Sequence, residues 1–339
     1  APREDASAVP ETEPTEDEEI DCHIALSDTG ATASHDSVWI QDSTVTVTRA
    51  GCYHISGSLS QGQLVVDAGK RDAVELLLEG ADITCADGPA LWVVQAGEVA
   101  VETAPGTENA LTDGTAYTLE PGQDEPDAAV FSKDDLYFTG EGTLTVSGRY
   151  DMAVHGKDSV YVQGGTLILS AAGDGLKGRD RVDISGGTVT IDAGGDGIQA
   201  NNDTELGDVI ISGGDLTVTA GADGVKAEHT LSIQSGTLRV DAQEDGLKAK
   251  CTTGGGSLTV SGGEISVDAQ GDALQSDGVL ILSGGTMELV TLGGAENAPE
   301  HAGDFFGGPP GWFNDTTSDE ETQSAKGLKA AGDMTIIGG

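Results

Sequence analysis

One short phrase recurs five times in this chain: Asp174-Gly-Leu-Lys, Asp196-Gly-Ile-Gln, Asp223-Gly-Val-Lys, Asp245-Gly-Leu-Lys and Asp272-Ala-Leu-Gln. The intervals between its aspartates are 22, 27, 22 and 27 residues. A fixed period of that size marks a solenoid, whose repeats bury their apolar sides only by stacking on one another. Within one interval, Leu176 with Gly178, Val182 with Ile184, and Val189 with Ile191 and Ala193 alternate with polar residues. That period of two belongs to half-buried strands. Gly186-Gly187 marks a turn and recurs as Gly164-Gly165, Gly213-Gly214, Gly262-Gly263 and Gly284-Gly285. Three short strands per turn, each pairing with its copies above and below, describe an all-β fold: a three-sided right-handed parallel β-helix.

The pattern also divides the chain. Residues 1–20 carry eight acids against Arg3 and almost no large apolar side chain, the composition of a disordered acidic linker. Residues 21–103 alternate without the phrase (Thr44-Val-Thr-Val-Thr, Glu75-Leu-Leu-Leu) and read as an N-terminal cap and first turns. Residues 104–292 hold the regular turns, after an irregular insertion or broad turn at 103–135. Residues 293–324 form a Gly/Pro-rich insertion with Phe305, Phe306, Trp312 and Phe313. Residues 325–339 are an incomplete last turn, in which Lys326 stands where Asp is expected. A solenoid stopping at Gly339 exposes strand edges, so the native protein is expected to continue. Alternate turns carry five extra residues, within Asn201–Gly207 and Lys250–Gly256, either as plain surface insertions or as one wall of a groove.

A formal net charge of −42 argues against binding to nucleic acid or to an anionic membrane. No apolar stretch is long enough to span a bilayer. An Ala-Pro start followed by an acidic tether fits a mature secreted or bacterial surface protein, expected as a monomer. Cys22, Cys52, Cys85 and Cys251 show no CxxC spacing, and histidines 23, 35, 54, 155, 229 and 301 are scattered. Zinc is therefore not expected, while Cys22 and Cys52 are candidates for a disulfide. No GxSxG, HExxH or P-loop pattern occurs.

Stacking places equivalent residues ~4.8 Å apart. Asp174, Asp196, Asp223, Asp245 and Asp272 then form a column whose neighbours repel by about 3 kcal/mol at an effective dielectric near 20. Hydrogen bonds, neighbouring ammonium groups, raised pKa values or a metal can relieve that repulsion, and two arrangements stand out. Turn N–H groups can bind each carboxylate, or Ca²⁺ can gather six to eight oxygens. Asp192, Asp241 and Asp268, each four residues before a column aspartate, are further candidate ligands, as are Asn201, Asn202, Asp203 and Glu205. A second column, Lys177, Gln199, Lys226, Lys248, Gln275 and Lys329, either donates to a ligand lying in a trough left by outward glycines or neutralises the neighbouring acids. Trp312 is a candidate for stacking on a sugar ring.

Gly106-Thr-Glu-Asn-Ala-Leu-Thr-Asp-Gly114, Phe131-Ser-Lys-Asp-Asp-Leu136 and the Gly-Asp-Gly-[Leu/Ile/Val]-[Lys/Gln] repeats, in that order, resemble the clostridial carbohydrate-binding β-helix family. The resemblance runs from about residue 38 to the C-terminus. It implies a secreted or surface protein shaped like a pectate lyase, binding cellulose and acidic plant sugars with calcium. The expected function is calcium-assisted, non-catalytic binding of plant cell-wall polysaccharide, either cellulose or a polygalacturonate-like acidic glycan. One alternative is a calcium-dependent polysaccharide lyase with Lys177, Lys226 or Lys248 as base. Another is a structural stalk or adhesin without a glycan ligand. Repetition of the lysine over several turns, rather than one singular constellation, favours binding.

Overall fold

The computed structural model describes residues 20–28, 30–119, 122, 125–204, 206–250, 254, 256–292 and 325–337, and every regular element among them is a β-strand. One turn consists of Leu176–Gly178, Arg181–Ile184 and Thr188–Ala193, and the next of Ile198–Ala200, Asp208–Ile211 and Asp215–Ala220. Each strand pairs in parallel with its equivalent one turn on. The first ladder runs Leu176↔Ile198↔Val225↔Leu247↔Leu274↔Leu328. Alternate residues point inward, and Val, Ile, Leu and Ala from all three ladders make one continuous buried core. The three-sided parallel helix read from the repeat is the observed fold.

The first ladder is a sheet of its own. The second and third merge, because Ala73–Thr84 bends through the corner between them. Its start pairs with Glu98–Thr103 and its end with Glu108–Thr112. The corner between the second and third ladders elsewhere is a glycine turn. Gly187 has φ +84°, and a Cβ there would lie 2.9 Å from the carbonyl oxygens of Gly164 and Gly165 in the turn before. Stacked glycine pairs follow from that close approach.

At the N-terminal end Asp21–Ser27 pairs antiparallel with Gly30–Ala33, and Val38–Gln41 with Thr44–Val47. These hairpins finish the solenoid, as a cap should. Residues 103–135 depart from expectation. Glu108–Thr112 and Ala128–Ser132 are regular strands within that stretch, and of the described residues between them 113–119, 122 and 125–127 leave the helix. Cys22 and Cys52 do not pair either. Cys22 sits opposite Tyr53, and Cys52 opposite Asp21, so period two turns Cys22 into the core and Cys52 outward. Residues 1–19, the insertion 293–324 with Trp312, Glu205 and Cys251 lie outside the described residues.

Candidate functional site

The repeated aspartates form a ladder. Oδ1 of Asp174 accepts the backbone N–H of Asp196 at 2.9 Å, and Oδ1 of Asp196 accepts that of Asp223 at 3.0 Å. Asp223 binds the N–H of Asp245 at 3.1 Å, Asp245 that of Asp272 at 2.8 Å, and Asp272 that of Lys326 at 2.8 Å. The terminal position needs only an N–H, and Lys326 supplies it.

The second oxygens face the Lys/Gln column. Lys177 Nζ lies 3.4 Å from Asp174, and Gln199 donates to Asp196 at 2.6 Å. Lys226 bridges Asp196 and Asp223 at 2.9 and 3.1 Å, and Lys248 bridges Asp223 and Asp245 at 3.2 and 2.8 Å. Lys329 meets Asp272 at 2.8 Å, and Gln275 Oε1 accepts from Lys329 at 3.0 Å. Turn N–H groups and neutralising lysines thus act together on one column. Burial pushes the Asp196 carboxyl above its ordinary range, Lys226 pulls it back, and the charges of Asp223 and Asp174 add to the rise. Burial pulls the Lys226 ammonium down, but its hydrogen bonds and charge contacts with Asp196 and Asp223 outweigh that and hold its pKa high. Lys248 is raised in the same way by Asp245 and Asp223.

This column does not fit a calcium ion. Its oxygens already face backbone N–H groups, an amide or ammonium groups, and a cation would have to displace the lysines. Asp192, Asp241 and Asp268 stand elsewhere, exposed on the outer face of the third ladder. Asp241 pairs with Asp268 in register, whereas Thr219 separates Asp192 from Asp241. The expected trough is absent as well. A Cβ on Gly224 would lie 2.2 Å from Val240 Cγ1 and 2.6 Å from Gly246 O, so this glycine faces the core. The chain bends after the aspartate, and alternation of sides begins one residue later than the sequence suggests.

The outward position of the lysines continues toward the N-terminus with different chemistry. Lys177 is in register with His155, then Phe131 and Trp92, then Val65, Thr46 and Trp39. In the connection that follows Glu108–Thr112, Tyr117 lies over this part of the face. Tyr117 Oη donates to Asp113 Oδ2 at 2.8 Å and lies 2.9 Å from the carbonyl of Ala128, and its ring stacks on Tyr150 at 4.2 Å. Beneath it Ala128, Phe131 and Met152 form a small apolar cluster outside the main core, with Trp92 against it.

Two clefts flank the connection. One, of about 460 Å³, is lined by Asp42, Gln63, Asp87, Trp92, Tyr117 and Glu125, among others. The other, of about 490 Å³, is lined by Glu125, Asp127, Tyr150 and Asp151. Trp92 Nε1 is buried with no hydrogen-bond partner among the described residues. His155 Nδ1 contacts Asp127 Oδ1 at 2.6 Å. Burial raises the Asp151 carboxyl, Asp127 and Asp174 raise it further, and Lys177 and His155 oppose them. Sequence reasoning missed this group. The alternation in Leu91–Gln95 already turns Trp92 outward, but these early turns lack the repeated phrase that would set their register.

A model of the "Carbohydrate-binding domain-containing protein" family matches residues 41–244 and 207–339. The chain belongs to this family. A relative of that description from Acetivibrio thermocellus is 33% identical over 137 residues, which are 40% of this chain and 48% of the relative. The match therefore spans about half of that relative's length. The solved polysaccharide lyase-like protein from C. thermocellum, a gadolinium derivative, superposes with a TM-score of 0.67 at 29% identity. The superposition covers 79% of this chain and all of that one.

Proposed function

We propose that this chain is a secreted or surface protein that binds plant cell-wall polysaccharide along the first-ladder face, anchored at the Trp92–Tyr117 cleft, without cleaving it. The observation that carries this reading is the buried indole N–H of Trp92, unpartnered among the described residues, beside an open cleft that also offers Asp42, Gln63 and Asp87. An aromatic side chain with carboxylate and amide neighbours suits a sugar, which has both apolar C–H faces and hydroxyl groups. An unpaired buried donor costs stability unless an acceptor reaches it. Membership of a carbohydrate-binding family supports the same reading.

The lyase-like neighbour keeps cleavage in view. A lysine base must release its proton near neutrality. Lys226 and Lys248 are shifted the opposite way by the aspartates they bridge, which favours binding. Calcium assistance belongs to the proposal for an acidic glycan, because a chain of charge −42 repels uronates. The cleft of Glu125, Asp127, Tyr150 and Asp151 is the other acidic group on this face, with Glu125 and Asp127 already paired with Lys157 and His155. Trp312 stays a candidate stacking residue.

The test is retention on cellulose and on polygalacturonate, with and without Ca²⁺, alongside absorbance of unsaturated product. Retention without product is expected. Trp92→Phe, which keeps the ring and removes the N–H, should weaken binding about 5- to 10-fold, the worth of roughly one hydrogen bond. Unchanged affinity in Trp92→Phe would sink the proposed anchor, and product formation would sink the non-catalytic reading.

A further inference from the structure

Three side chains that lie far apart in sequence meet at the N-terminal end of the second and third ladders. His23 on Asp21–Ser27 is directly in register with His54 on Gly51–Leu59, and their ring centroids are 4.5 Å apart. Glu79, on Ala73–Thr84, faces His54 Nδ1 with its Oε1 at 3.2 Å. One ligand atom from each of His23, His54 and Glu79 lies within 4.8 Å of the other two. The remaining nitrogen of His54, Nε2, faces Asp21 Oδ1 at 3.2 Å.

We propose that His23, His54 and Glu79 form a site for a zinc-class divalent metal, with Asp21 orienting the His54 ring from behind. Two imidazoles and one carboxylate are a ligand set that zinc takes readily, leaving a position open to water or a ligand. A carboxylate on the far nitrogen of a ligating histidine fixes its tautomer and raises its basicity. That is the relation of Asp21 to His54. Calcium and magnesium prefer all-oxygen sites, so the imidazoles select against the ions proposed elsewhere on this chain.

The backbone presents Glu79 deliberately. Ile55 pairs with Leu78 and Gly57 with Ala81, so two residues, Glu79 and Gly80, stand opposite Ser56 in a bulge. Gly80 has φ +83°, and the bulge N–H groups of Gly80 and Ala81 both donate to buried Asn109 Oδ1, at 2.9 and 2.8 Å. The Asn109 amide is itself held by Thr107 Oγ1 and Thr143 O at 3.0 and 3.1 Å. A bulge anchored in this way re-aims a side chain and holds it. The metal would tie together three neighbouring strands at the N-terminal end of the solenoid, beside the capping hairpin.

The experiment is zinc titration of the full chain in excess Ca²⁺, which occupies the oxygen-only sites, with cobalt(II) absorption as the signature of imidazole ligation. One equivalent of zinc is expected, with a rise in Tm. His23→Ala and His54→Ala, both outward-facing changes, should lose that equivalent while leaving the metal-free Tm near that of wild type. Asp21→Asn should weaken binding about 10- to 100-fold. Absence of a zinc equivalent in the wild type, or retention of it in both histidine variants, overturns the proposal. Glycan retention by these variants should match wild type, which separates this site from the Trp92 cleft.

Discussion

Asp223 Oδ1 accepts the backbone N–H of Asp245 one turn away, while Asp223 Oδ2 lies 3.1 and 3.2 Å from the ammonium groups of Lys226 and Lys248. The side chain is fully buried. A column of acids survives inside a strongly acidic chain because each carboxylate divides its two oxygens in this way. One binds the next turn's backbone, and the other binds the lysine column.

Asp223→Ala should therefore be among the most damaging single changes in the repeats. It leaves the Asp245 N–H unsatisfied and two partly buried ammonium groups short of a partner, a cost of about 3–5 kcal/mol. Asp192→Ala, on the exposed outer face, should stay within about 0.5 kcal/mol of wild type. Urea unfolding of the two variants checks the contrast. Similar losses in both would mean that the column is no more than surface charge.

Lys226 and Lys248 give the fold an alkaline limit. Their folded-state pKa values lie above the ordinary 10.5, the usual sign for a lysine that gains carboxylate partners. Their contribution is then fully present below about pH 10.5 and is lost as pH rises through the folded values. Tm should fall steeply above that point, and less steeply in a Lys226→Met, Lys248→Met double variant that starts from a lower Tm. A parallel decline in both proteins would place the alkaline weakness elsewhere.

The fold was legible because the Asp-Gly phrase and the glycine pairs repeat a physical unit: one bend, one inward strand and one close turn. Both columns followed from it, whereas the partners that Asp196 and Lys226 have in the structure were only one of the two arrangements it left open for each column. The direction of Gly224 did not follow, because counting alternate residues assumes a straight strand through a bend. Nor did the Trp92 cleft or the His23–His54 contact. Each depends on register in turns where the phrase is missing, and only pairing across 31 residues brings the two imidazoles together.

Gly224 offers a packing test of that correction. A methyl group there would meet Val240 Cγ1 and the Gly246 carbonyl, so Gly224→Ala should destabilise by about 1–3 kcal/mol through overpacking. The equivalent residue in a later turn is Ala273, fully buried and in the core. Ala273→Gly should cost less, about 1 kcal/mol, from one lost methyl group and added chain freedom. Thermal unfolding of both variants decides. A neutral Gly224→Ala would restore the outward trough as a possibility.

Cys52 should be a reluctant nucleophile. Burial raises its thiol pKa to about 11, and the charges of Glu75 and Asp21 add to the effect. These two acids are its register neighbours on either side, so the thiolate would form between two carboxylates. At pH 8 the reactive fraction is then on the order of one part in a thousand. Carbamidomethylation of the Cys52 peptide, followed by mass spectrometry, should accelerate about tenfold per pH unit from 8 to 10, with no plateau near the ordinary thiol value. Glu75→Gln removes the nearest charge and should speed the reaction at every pH in that range. A plateau near pH 9 in the wild type would show that the thiol is free of its acidic neighbours. A mass consistent with a Cys22–Cys52 bridge would show that the first strand turns over from the register seen here.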